Sequence, residues 1–158
     1  MPLHVKAADV PVRRITLKAG AEGNGTMEVR KAFGRQASLM IAERAPGYHT
    51  KPHQHPAEQI NYVLRGEIWF FVEDQAFHCR AGDFQRIPAN SVHWAWNKSD
   101  QPALVAEVHA PPLIAGEAAE GSVSLLAAGE EPPAAAADNE FVPYDAAAVE
   151  ARTADQGT

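Results

Sequence analysis

The chain has 158 residues, 46% apolar and 22% charged, with a formal net charge of −6. That suffices for one domain with a single small core and short extensions. Nine acidic residues and one basic residue fall within 114–158. The remainder is therefore close to neutral, which leaves no basic footprint for nucleic acid or an anionic membrane surface. The single cysteine, Cys79, excludes an intramolecular disulfide and suits a reducing compartment. No run approaches the ~18 apolar residues of a membrane span and no apolar leader opens the chain, so a soluble cytoplasmic protein is the expectation.

Residues 1–25 mix Pro, Gly and charge and read as an irregular N-terminal arm with one strand near 12–17. From 26 to 113, short runs broken by Gly, Pro, Asn and Asp predict strands over 27–33, 38–44, 59–64, 68–73, 76–80, 84–87, 92–96 and 103–109. No stretch holds a helical period, so the expectation is an all-β sandwich or barrel. The run Ile68-Trp69-Phe70-Phe71-Val72 is apolar on both faces and predicts a strand between the barrel interior and an intersubunit sheet. Beyond 113, Ala, Glu, Pro and Gly dominate, and 114–158 reads as a largely disordered, acidic, Ala-rich tail. The exception is Phe141-Val142-Pro143-Tyr144, which has aromatics to dock. Asp145 after it is placed to cap a short helix near 145–152.

Seven histidines are present. His53 and His55 are two apart, so an extended segment turns both rings to one face. Gln59 has the same parity, although Pro56 interrupts the path. His93 follows the turn Ile87-Pro88-Ala89-Asn90, which can return a later strand to the same place. Together they would make a three-His site with a neutral amide oxygen as fourth ligand, and imidazole suits zinc, iron, copper or nickel. His-x-His alone equally fits a solvated loop with two incidental histidines.

The surrounding residues resemble the cupin family. Its first motif is matched by Gly47, His53, His55 and Gly66, and its second by Gly82, Pro88, His93 and Asn97. Asn90 stands where the second motif has a glycine, and Asn tolerates a positive φ better than other side chains. The resemblance covers about residues 38–110 and implies a double-stranded β-helix, or jelly-roll barrel, with one divalent transition metal inside (zinc, iron, nickel or manganese). Where the family has a glutamate ligand, counting from His55 and from Gly66 reaches Gln59, with the adjacent Glu58 as the alternative. A neutral Gln would leave the cation its full charge and favour an anionic or enolate-like oxygen.

Further candidates follow from parity. His49 precedes the motif and reads as a fifth ligand, an acid–base group, or an exposed loop histidine. Glu107 and His109 share a face of the last strand. They form an acid–base pair if that face is interior, and are solvated polar residues if it is exterior. Trp94 and Trp96 point away from His93, which favours a dimer contact or packing under the N-terminal arm over a substrate platform. With Tyr62 they predict a homodimer.

Cupins host many reactions. The segment from Pro46 to His55, with Gln59 and His93, is similar to the tetracenomycin-type polyketide cyclases, small cupins whose metal sites combine several histidines with a glutamine. That similarity implies metal-dependent enolisation, cyclisation or isomerisation of a small oxo or poly-β-keto substrate, with His49, Glu107 and His109 as candidate catalytic groups. The alternatives are a mononuclear iron dioxygenase and a non-catalytic small-molecule binder.

Overall fold

A computed structural model describes residues 3–154; the outermost residues of the expected arm and tail, 1–2 and 155–158, lie outside the described residues. The strands run in chain order as β1 (Arg13–Thr16), β2 (Gly23–Asn24), β3 (Thr26–Phe33), β4 (Ser38–Arg44), β5 (His49–Thr50), β6 (His53–Gln54) and β7 (Glu58–Arg65). They continue as β8 (Glu67–Val72), β9 (Gln75–Arg80), β10 (Phe84–Ile87), β11 (His93–Trp96), β12 (Ala103–Ala110), β13 (Ser122–Ser124) and β14 (Glu140–Phe141), followed by one short helix, α1 (Ala146–Ala151). The predicted strands between 26 and 113 coincide with these to within one residue at most ends. No described helix is long and apolar enough to cross a membrane.

Two sheets form the barrel. One has the order β1-β3-β4-β12-β7-β10, with β13 added parallel to β3. The other runs β14-β6-β11-β5-β2, with β8 joining β11 to β9. All other pairings are antiparallel. Alternation sorts the side chains: on β12, Ala103, Val105, Glu107 and His109 are buried, as a half-buried strand requires. Gly66 makes the tight connection from β7 to β8. Its φ is 79°, and a Cβ there would lie 2.5 Å from the Pro102 carbonyl oxygen, so only glycine fits. Asn90, in the turn before β11, has φ 62°, the conformation for which Asn is suited.

The barrel interior has two parts. Val63, Ile68, Phe70, Cys79, Ala95, Ala103 and Val105 pack into a closed apolar core. The other part remains open as a cavity of about 450 Å³.

Outside the barrel, Trp69, Phe71 and Trp94 form a second apolar cluster with Val149 of α1, and Trp96 and Ala146 pack against it. The expected cover was a partner subunit or the N-terminal arm. The structure instead lays the chain's own C-terminal helix there, because Val149 falls on the helix face that meets these rings. Asp145 caps α1, its carboxylate accepting from Ala148 N at 3.2 Å. The rest of 114–154 is mostly irregular, but it is pinned at β13, at β14, and where Ala137 packs with Ala57 and Leu113.

Candidate metal centre

Four strands bring the candidate ligands together. His93 of β11 pairs with His53 of β6, and Gln59 of β7 pairs with His109 of β12. His55, Gln59 and His93 are buried, at 3%, 5% and 4% exposure. Ring centroids are 4.3 Å apart for His53 and His93, 4.6 Å for His55 and His93, and 6.4 Å for His53 and His55.

Each of the three rings is held from behind. Nδ1 of His53 donates to Lys51 O at 2.8 Å, Nδ1 of His55 to Ala57 O at 2.9 Å, and Nδ1 of His93 to Ser91 O at 2.9 Å. A backbone carbonyl only accepts, so these bonds fix the proton on Nδ1 and leave the Nε2 lone pair unprotonated. Desolvation, opposed by the Lys51 bond, pushes His53 down to about 4. Burial also lowers His55, and lowers His93 well below its ordinary value with help from the neighbouring rings.

Neutral imidazoles with the far nitrogen tied to a carbonyl are the state in which histidine ligates a transition metal. The donor set therefore fits such an ion. Among the described residues, no three His, Cys, Asp or Glu side chains are arranged to hold an ion between them; the rings are gathered but not closed. Gln59 adds a fourth donor, its Oε1 standing 3.1 Å from His55 Nε2. Glu58, the alternative, turns outward to Arg86 at 2.6 Å, since neighbours on a strand face opposite ways.

Glu107 and His109 both face the interior, each at 1% exposure. Their closest approach is 4.0 Å, between His109 Nε2 and Glu107 Oε2. The His109 ring lies 5.5 Å from that of His55. Burial and the nearby His55 push His109 well below its ordinary value. Glu107 pairs with Arg44 at 2.5 Å, and the Arg44 guanidinium carbon lies 5.3 Å from the centroid of the Tyr48 ring. Among the described residues, Arg44 Nε and Nη1 and His109 Nδ1 are buried without a hydrogen-bond partner, an uncommon condition that often marks a functional region.

His49 does not join this group. It pairs with Trp96 on β11 whereas His53 pairs with His93. Three positions separate Trp96 from His93 and four separate His49 from His53, so one residue is absorbed at Lys51-Pro52 and the face inverts. The His49 ring stacks on Trp96 outside the barrel at 4.2 Å, and its Nε2 donates to Glu150 at 2.6 Å.

Sequence reasoning missed Arg44, Lys31, Tyr48 and Gln85, and it did not give Asn61 a bonding role. Those on strands had a parity signal: Arg44 follows Met40 and Ala42 on the buried face of β4, and Lys31 follows Val29 on β3; Tyr48 lies in the loop before β5 and had none. Ile15, Met27, Val29 and Met40 form the apolar wall opposite the histidines. Phe141 of β14 closes toward the opening, its ring 5.5 Å from that of His53.

A family model described as a cupin domain matches residues 40–109, the span that contains all of these ligand candidates. An auxin-binding protein, T92, of Nicotiana tabacum is 33% identical over 80 residues, covering 44% of this chain and 43% of that protein. Acireductone dioxygenase 1 of Pectobacterium atrosepticum is 41% identical over 46 residues, covering 27% of each chain. The chain thus spans less than half the length of either curated relative. Among solved structures, the polyketide cyclase RemF from Streptomyces resistomycificus shares the fold with a TM-score of 0.57 at 24% identity, over 70% of this chain and 80% of that one. Residues 40–109 thus match the cupin-domain model, and the two antiparallel sheets that carry them form a cupin-type β-barrel.

Proposed function

We propose that this cupin is a metal-dependent enzyme that enolises a small oxo substrate and directs its cyclisation or isomerisation. The observation that carries the reading is the set of three histidines, each tied by Nδ1 to a backbone carbonyl, beside the oxygen of a neutral glutamine in the barrel cavity. Held by His53, His55, Gln59 and His93, a divalent transition metal would supply Lewis acidity at a carbonyl oxygen.

The chain's own residues do the rest. The apolar wall of Ile15, Met27, Val29 and Met40 excludes water and confines a flexible keto chain, so that its two ends meet. His109, kept neutral by burial, takes the acidic proton from the carbon between two carbonyls. Glu107 steadies the resulting imidazolium. The enolate carbon then attacks a second carbonyl of the same chain, and the proton returns to the new alkoxide. All four proposed ligands are neutral, which preserves the positive field that this enolate needs. The shared fold with a polyketide cyclase is in keeping with this reading.

A second reading, a dioxygenase, draws on the segment similar to acireductone dioxygenase 1. One experiment separates them. Metal-reconstituted protein is incubated with a β-diketone in deuterated buffer, with NMR of the central proton and an oxygen electrode run in parallel. Enolisation predicts faster exchange without oxygen uptake, lost in His109→Ala. Oxygen consumption would favour the dioxygenase. Binding with neither reaction would leave a small-molecule binder, the role printed in the name of the auxin-binding relative.

A further inference from the structure

We propose that Asn61 and Gln85 are positioning residues for Gln59, and that the three amides form a one-way relay presenting the Gln59 oxygen, not its NH2, to the histidines. This rests on the metal reading above. Gln59 and Asn61 are two apart on the inward face of β7, and Gln85 of β10 lies directly across from Asn61. All three are buried, at 5%, 0% and 8% exposure.

The bonds run in one direction. Gln85 Nε2 donates to the Arg86 carbonyl at 2.7 Å, and Gln85 Oε1 accepts from Asn61 Nδ2 at 2.7 Å. Asn61 Oδ1 accepts from Gln59 Nε2 at 2.7 Å, which leaves Gln59 Oε1 facing His55 Nε2 at 3.1 Å. An amide can be turned over with little change of shape, so its orientation follows from its partners. Here the last partner is a backbone carbonyl, which cannot donate. Reversing any one amide sets two acceptors or two donors face to face, and reversing all three sets Gln85 Oε1 against the Arg86 oxygen. The far end thus favours this polarity, while at the near end Gln59 Oε1 and the unprotonated His55 Nε2 face each other as two acceptors, an arrangement that a cation between them would satisfy.

Without the relay, Gln59 can offer its NH2 to the site, which a cation cannot use. Outer partners that orient a ligand typically change metal affinity by about 10- to 100-fold. A residue acting only through Gln59 should matter only while Gln59 is present, which a double-mutant cycle detects.

The test is calorimetric titration of Co²⁺ into metal-stripped wild type, Gln85→Met, Gln59→Ala and the double variant, each shown to unfold cooperatively. The expected result is about 10- to 100-fold weaker binding in Gln85→Met and no more than about a twofold further loss when Gln85→Met is added to Gln59→Ala. Equal losses in both backgrounds would make Gln85 merely structural and overturn the proposal. Wild-type affinity in Gln85→Met would overturn the relay while leaving the metal reading intact; a wild type that binds no Co²⁺ would overturn both. Should Gln85→Met fail to fold, Asn61→Ser takes its place in the same cycle, with the same outcomes decisive.

Discussion

The same strands line both halves of the barrel interior, and their residues change character along their length. On β7, Val63 packs in the closed half, Gln59 lines the cavity, and Asn61 lies buried between them. On β12, Val105 gives way to Glu107 and His109, and on β11, Ala95, at the border of the cavity, gives way to His93. Apolar area removed from water stabilises the closed half at about 25 cal/mol per Å². The open half holds an ion pair, three buried amides and four histidines around a cavity, groups costly to bury and useful only in an exact arrangement. One half supplies the stability against which the other can hold strained or unsatisfied groups.

The sharpest way to separate the halves is to damage each. Phe70→Ala, in the closed half where it borders the cavity, should cost about 3–5 kcal/mol in urea denaturation, from lost transfer energy and the space left behind. Glu107→Ala in the open half should cost a similar amount, about 3–5 kcal/mol, because it strands the Arg44 charge. The causes differ, and a second change reveals it. Adding Arg44→Met to Glu107→Ala should recover most of that loss, whereas Phe70→Ala should be unaffected by Arg44→Met. Failure to recover would mean that Glu107 acts through packing.

Smaller effects test the outer layer and the cluster. Glu150 accepts from both His49 Nε2 and Trp94 Nε1, the latter at 2.9 Å. Glu150→Ala should cost about 1–2 kcal/mol and loosen α1, seen as a change in tryptophan fluorescence. His93→Ala should change the stability of metal-free protein least, by about 1 kcal/mol or less, because the ring faces an existing cavity. A loss as large as that of Phe70→Ala would place His93 in the structural half.

Much of this was legible because alternation is local. Within β7, parity alone separates inward Gln59 from outward Glu58, and within β12 it joins Glu107 to His109. Asn90 could be read from the φ its turn demands. His49 could not, because its face depends on how Lys51-Pro52 absorbs one residue between two different pairings with β11. Arg44 and Gln85 were hidden for another reason. A charged or amide side chain on an inward parity looks like a surface residue until its partner on another strand is known, and Glu107 is 63 positions from Arg44 in sequence. The C-terminal cover was partly visible in Phe141, Tyr144 and the Asp145 cap. Nothing in the sequence said that α1 would meet Trp69 and Trp94 on the same chain.

The open half is proposed above as a metal centre. Elemental analysis of protein purified without added metal tests it most directly, on wild type beside His53→Ala and His93→Ala. Wild type should hold about one transition-metal ion per chain and either variant less than about a tenth of that, with both variants folded. A metal-free wild type that takes up no ion on reconstitution, or a full ion retained in either variant, would contradict it.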